Sequence, residues 1–179
     1  MIPNPIKSLG DVMQLAYVTT DLAAAARYWT HTMGVGPFFK LEHAQRSLDS
    51  LRYRGKPCEA DFTMMIAYWG DIQVELIQQH NDAPSIFRGR HGRAKGIHHV
   101  CIMVDDLAAA VADCTRAGAM LIQEGRSGGS AFVYMDTFGG PGSVLEILSP
   151  APEVRQYQTH MKECAKSWDG RQPIRTFET

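Results

Sequence analysis

Met13-Gln14-Leu15-Ala16-Tyr17-Val18-Thr19-Thr20-Asp21-Leu22-Ala23-Ala24-Ala25 is echoed beyond the midpoint by His98-His99-Val100-Cys101-Ile102-Met103-Val104-Asp105-Asp106-Leu107-Ala108-Ala109-Ala110. In both stretches an apolar strand runs into Asp-Leu-Ala-Ala-Ala. A polar residue opens each strand at the same offset, Gln14 in one and His99 in the other. A second matching pair ends each half: Ile72-Gln73-Val74-Glu75-Leu76-Ile77 and Ser143-Val144-Leu145-Glu146-Ile147-Leu148. Each puts one carboxylate in an apolar run. The repeat therefore marks Gln14, Glu75, His99 and Glu146 as candidate metal ligands.

Around these strands the chain divides in two. In the first half, Val12–Val18 reads as a strand. Asp21 then caps a helix carrying Leu22, Ala25, Ala26, Trp29 and Met33 at helical spacing, with Gly34 as its stop. Phe38–Glu42, Leu51–Arg54 and Phe62–Tyr68 read as strands, and a turn at Trp69-Gly70-Asp71 leads into the strand of Glu75. After a basic linker from Asn81 to Gly96 the pattern restarts. Strand Val100–Val104 leads to a helix from Asp106 to Ala117, then to strands at Met120–Gln123, Ala131–Met135 and Ser143–Leu148. Gly128-Gly129 and Gly139-Gly140-Pro141-Gly142 are hairpin signals; a phosphate loop would need a helix after it, and a strand follows. Val154, Tyr157, Met161, Cys164 and Trp168 form one apolar helical stripe in the tail. That stripe packs on the body or a partner subunit, or else closes a cleft. The expected fold class is α+β: two βαβββ modules side by side (residues 10–80 and 97–150), forming a cup-shaped mixed sheet. A C-terminal helical tail covers 151–179.

Composition bounds the function. The chain has 179 residues, 45% hydrophobic and 21% charged, with a net charge of -1. That balance suits an ordinary globular protein and offers no attraction to nucleic acid or an anionic membrane. No apolar run approaches the roughly 20 residues that span a bilayer. Met1-Ile2-Pro3-Asn4-Pro5 lacks the basic stretch and apolar core of a secretory signal. Cys58, Cys101, Cys114 and Cys164 are scattered, with no C-x-x-C pair, so the expected setting is reducing and cytoplasmic.

A glutamine oxygen, two carboxylates and an imidazole suit a hard or borderline divalent ion such as zinc, manganese, cobalt, nickel or iron. Such an ion can polarise a carbonyl and stabilise the enediolate left when the neighbouring carbon loses a proton. Glu146 is the first candidate base and Glu75 the second. Taken singly, each residue has a plainer reading, His99 as a hydrogen-bonded core histidine and the glutamates as solvent-facing. Their equivalent placement in a repeat is what argues for a site. His98 points to the opposite strand face from His99. His43 and His80 fall at loop or strand ends, where they face solvent or line a cleft. Phe38, Phe39, Met64, Trp69, Phe132 and Tyr134 supply core or cleft walls. Arg88, Arg90, Arg93 and Lys95 in the linker are solvated or pair with an anionic substrate tail such as a CoA phosphate.

Over about residues 10 to 150 these features resemble the vicinal oxygen chelate superfamily, which includes glyoxalase I, methylmalonyl-CoA epimerase, extradiol dioxygenases and bleomycin-resistance proteins. The strand-opening Gln14 and His99, each followed by apolar residues and Asp-Leu, carry the resemblance. It implies a cup around a metal held by Gln14, Glu75, His99 and Glu146. The Gln/Glu/His/Glu set is similar to that of eukaryotic-type glyoxalase I, whose metal is zinc. The epimerases typically place histidine at the Gln14 position and glutamine at the Glu75 position. Extradiol dioxygenases bind iron through two histidines and a glutamate, and the single histidine here disfavours oxygenase chemistry. The implied activity is that of a glyoxalase-like lyase or an acyl-CoA epimerase-like isomerase acting on a small carbonyl substrate through a metal-bound enediolate, in a homodimer. The alternative is a non-catalytic small-molecule binding protein of the resistance type.

Overall fold

A computed structural model describes residues 6–92, 96–140 and 142–177, with Arg90 as backbone only. The strands in chain order are β1 (Val12–Val18), β2 (Phe38–Leu41), β3 (Ser50–Tyr53), β4 (Lys56–Pro57), β5 (Phe62–Trp69) and β6 (Ile72–Gln79), then β7 (His99–Met103), β8 (Met120–Ser127), β9 (Ser130–Asp136), β10 (Val144–Ser149) and β11 (Ile174–Thr176). The helices are α1 (Leu22–Arg27), a single turn α2 (Gly89–Gly92), α3 (Leu107–Arg116) and α4 (Pro152–Lys166).

The Asp-Leu-Ala-Ala-Ala echo is a helix start used twice. Asp21 accepts a hydrogen bond from Ala24 N at 2.8 Å, and Asp106 accepts one from Ala109 N at 2.9 Å. Each carboxylate satisfies an amide that the first helical turn leaves unpaired. α1 continues into a π turn at Tyr28–Thr32, which carries the buried Trp29.

All strands join one mixed sheet in the order β11-β2-β5-β6-β1-β7-β10-β9-β8-β3-β4. The two halves meet where β1 runs antiparallel to β7, within a single chain. The echo maps Gln14 onto His99 and Ala16 onto Cys101. The register pairs Gln14 with Cys101 and Ala16 with His99, as a local two-fold axis requires. β6 lies parallel to β1 with Glu75 beside Ala16, and β10 lies parallel to β7 with Glu146 beside Cys101. Side chains alternate across a strand. One face therefore collects Gln14, Glu75, His99 and Glu146. The other buries Val74 and Leu76 under α1, and Ile102, Leu145 and Ile147 under α3.

Two features depart from the expected modules. The Leu51 strand pairs with the short β4 in its own half, but its other edge crosses over to β8 instead of joining β2, β5 or β6, with Leu51 opposite Gly125. Gly128 N donating to Asp49 and Ser127 Oγ donating to Ser47 O fasten it there. An apolar alternation specifies a face, not a partner, and β8 offers an edge that the hairpin covers. The tail is also more than a helix, because β11 adds a parallel strand beside β2. The Gly128-Gly129 hairpin forms as expected, with φ of 49° and 91° that glycine adopts without strain. Pro141 of the second glycine-rich turn lies outside the described residues. The described cysteines are free, and no described helix is long and apolar enough to cross a membrane.

Candidate metal centre

Strands β6, β1, β7 and β10 lie side by side and carry the four expected ligands onto one concave face. Ligand-type atoms of Glu75, His99 and Glu146 all lie within 4.8 Å of one another. His99 Nε2 sits 3.2 Å from Glu146 Oε2 and 3.4 Å from Glu75 Oε2. Gln14 is on the same face, and it lines the same cavity as both glutamates. All four are buried, His99 completely.

The donor atoms are poised but unsatisfied. Gln14 Oε1, Glu75 Oε2 and His99 Nε2 are buried, and none has a hydrogen-bond partner of good geometry among the described residues. Buried polar atoms are rarely left so, and these three, with His99 Nε2 deprotonated, would suit coordination of one cation.

Two relays aim these atoms. Gln73 Nε2 donates to Tyr68 Oη at 2.7 Å, and Gln73 Oε1 accepts from Gln14 Nε2 at 3.0 Å. That leaves the Gln14 carbonyl oxygen without a hydrogen bond among the described residues, on a side chain that lines the same cavity as the glutamates. On the other half, His98 Nε2 lies 3.0 Å from Ile86 O, which can only accept, so this nitrogen carries the hydrogen. Burial pushes the His98 imidazole down to about 3, so it is neutral and its Nδ1 is a lone pair. His99 Nδ1, 2.8 Å away, must then donate, and His99 faces the carboxylates through Nε2. A buried residue that fixes the tautomer of its neighbour is the usual outer support of a ligating imidazole.

The electrostatics match. Burial alone would depress the His99 imidazole, but the close Glu146 and Glu75 carboxylates outweigh it and hold it up to about 9. Burial, aided by repulsion from Glu146, raises the Glu75 carboxyl despite His99. The Tyr134 ring packs edge-on to His99 at 5.0 Å, and burial raises its hydroxyl well above the ordinary range.

The cluster lies in a cavity of about 450 Å³. Of the aromatic and methionine candidates, Met64, Phe132 and Tyr134 line it. Phe38 instead packs beneath α1, Phe39 beneath α4, and Trp69 against Trp29 at the surface. His43 and His80 stay outside, bound to Asp61 at 2.6 Å and Thr63 at 2.8 Å. Arg88 pairs with Asp82 and does not line the cavity, and the side chains of Arg90, Arg93 and Lys95 lie outside the described residues. The linker nonetheless serves the site. Ile86 and Phe87 are buried, the first supplying the carbonyl to His98 and the second a cavity wall. The α4 stripe faces the cavity through Val154, Tyr157 and Met161, so the tail forms a wall rather than merely packing on the body. Gln73, Gln123 and Tyr68 escaped the sequence reading. Gln73 was visible at two residues before Glu75 on the same strand face.

The family model described as the Glyoxalase/Bleomycin resistance protein/Dioxygenase superfamily matches residues 13–135. The chain belongs to this superfamily. No curated protein matches it at a significant level. Among solved structures, a methylmalonyl-CoA epimerase from Mycobacterium tuberculosis is 17% identical, with a TM-score of 0.57 over 87% of this chain and 97% of that one. A hypothetical protein from Bacillus halodurans C-125 is 11% identical, with a TM-score of 0.57 over 79% and 95%. A selenomethionine-labelled methylmalonyl-CoA epimerase is 19% identical, with a TM-score of 0.53 over 80% and 98%. At these identities the likeness is one of fold.

Proposed function

We propose that this superfamily member is a metal-dependent isomerase or lyase that moves a proton on the carbon beside a carbonyl. The observation that carries the reading is the convergence of Glu75, His99 and Glu146 ligand atoms within 4.8 Å of one another, with Gln14 Oε1, Glu75 Oε2 and His99 Nε2 buried and without a well-formed hydrogen bond among the described residues. Gln14, Glu75, His99 and Glu146 would hold the ion, with zinc first and nickel, cobalt, manganese or iron as the others that suit this donor set. When bound, it supplies Lewis-acid polarisation of the substrate carbonyl, worth several kcal/mol in this chemistry. Glu146 takes the proton and returns it, with Glu75 as second candidate. Its carboxylate lines the cavity and is the more open of the two, at 11% against 7% side-chain exposure. Tyr134, also in the wall, is the cross-strand neighbour of Glu146. The apolar walls exclude water from the exchanged proton. A homodimer is the expected assembly, checked by sedimentation.

The test is elemental analysis of wild type and His99→Ala purified without chelator, followed by solvent deuterium exchange into candidate carbonyl substrates. About one ion per chain, lost in His99→Ala, with exchange abolished in Glu146→Gln, is the expected result. Absence of metal after reconstitution would defeat the reading. It would leave the apolar cavity as the basis for a non-catalytic binding protein.

A further inference from the structure

The cavity lining narrows the substrate class. This step rests on the carbonyl reading above. The charged residues lining the cavity are Glu75, Glu146 and Glu153, all carboxylates, and no described lysine, arginine or histidine lines it. A divalent ion would offset Glu75 and Glu146, leaving no cation among the described lining residues to receive a second anionic group. A carboxylate or phosphate drawn inside would lose its water with nothing in exchange. The walls are apolar, among them Phe62, Phe87 and Phe132 from the body and Tyr157 and Met161 from α4.

One polar group remains unused. Gln123 is 1% exposed and lines the cavity. Its Oε1 accepts from Ile86 N at 3.0 Å, which fixes the amide orientation, while its Nε2 has no hydrogen-bond partner among the described residues. Gln123 lies opposite Tyr134, which lies opposite Glu146. The spare donor is therefore on the same sheet row as the metal cluster and two strands away, roughly 9–10 Å along the sheet. Tyr134 stands between them in that row, so a substrate that reaches both lies across its ring.

We infer that the site selects an uncharged carbonyl compound: its reacting oxygens at the Glu75–His99–Glu146 cluster, an apolar ring against the aromatic wall, and a distal acceptor oxygen held by Gln123 Nε2.

The experiment is calorimetric titration of the zinc-reconstituted full chain with hydroxymethyl phenyl ketone and its para-methoxy and para-carboxylate derivatives, and with an acyl-CoA thioester. The methoxy ketone should bind about tenfold tighter than the carboxylate. Gln123→Met should lower affinity for the methoxy ketone about five- to tenfold more than affinity for the parent ketone. Gln123→Glu keeps the acceptor for Ile86 and removes the donor, and should show the same loss should Gln123→Met fail to fold. Carboxylate or thioester binding as tight as the methoxy ketone overturns the inference, as does unchanged methoxy affinity in both variants. The two readings fail separately. Preserved probe order in a chain that takes up no zinc sinks the isomerase reading and supports this one, whereas zinc uptake with preference for the thioester sinks only this one.

Discussion

His98 and His99, adjacent in sequence, face each other through their Nδ1 atoms at 2.8 Å, although a strand sends neighbouring side chains to opposite faces. His99 is the first residue of β7 and His98 precedes it, so His98 is free of the strand's alternation and turns back beneath its neighbour. The contact converts a backbone carbonyl at Ile86 into an instruction about which nitrogen of His99 faces the glutamates. Removing it leaves His99 free to adopt either tautomer. His98→Leu should weaken zinc binding about 10- to 100-fold, the usual effect of losing an outer support. His98→Asn retains a short acceptor near the Nδ1 position and should recover part of the loss. Competition with a chromophoric chelator measures both. Equal affinities for wild type and His98→Leu would remove the positioning role, and a loss that asparagine does not rescue would reduce it to packing.

The same pair gives the metal-free protein opposite sensitivities to acid and base. His99 is held up to about 9, above its ordinary 6.5. Its contribution to stability is complete below 6.5 and is lost as pH rises through about 9. His98 is pushed down to about 3, so burying it neutral costs stability as pH falls from 6.5 toward 3. Denaturant midpoints of chelator-treated protein should therefore peak near pH 6.5 and fall on both sides. His98→Asn should flatten the acid limb alone. Zinc affinity should rise across the basic window, because a ligating His99 must lose its Nε2 proton. Flat midpoints across that window would contradict the charge state assigned to His99.

Most of the architecture was legible because the repeat is written in residue types with local consequences. Asp21 and Asp106 cap, Gly128-Gly129 turns, and Gln14, Glu75, His99 and Glu146 interrupt apolar strands at matching places. These features depend on a few neighbouring residues and a period of two. Partner choice does not. Nothing in Leu51–Arg54 states that the strand pairs with β8, because its alternation fits any edge with a buried face. The roles of Ile86 and Gln123 were also hidden. One acts through its carbonyl, which its side chain does not advertise. The other is a glutamine in a strand where a solvent-facing position is the ordinary expectation.

Gly125 tests the aromatic wall. A Cβ at this position would lie 2.2 Å from Phe132 Cζ, so the ring sits over the glycine backbone. Phe132 lines the cavity, so Gly125→Ala must displace the ring and reshape it. The expected cost is about 1–3 kcal/mol, as for overpacking elsewhere, with zinc content unchanged because Phe132 holds no ligand. Thermal unfolding and elemental analysis check the two halves. Full stability together with unaltered ligand affinity would mean that the ring has room to move elsewhere.

Met161 tests whether the tail belongs to the site or only rests on it. It is 2% exposed, joins Phe39, Ile66 and Tyr68 in one apolar cluster, and also lines the cavity. Met161→Ala removes apolar contacts on both sides, and buried truncations of this kind cost about 2–5 kcal/mol. The lower end is expected here, because the lost volume opens into existing space instead of a sealed void. The diagnostic is the split between stability and ligand size. If α4 is a cavity wall, Met161→Ala should bind a para-phenyl derivative of hydroxymethyl phenyl ketone better than wild type does, despite its lower melting temperature. If α4 merely packs on β2 and β5, stability should fall with no gain for the larger ketone. Trp168 anchors the helix end over Gly36, and its Nε1 donates to Arg171 O at 2.7 Å, so a Trp168→Ala control should loosen α4 without touching the cavity lining. Weaker binding of every ketone in that control, with zinc retained, is the outcome expected of a wall that must be held in place.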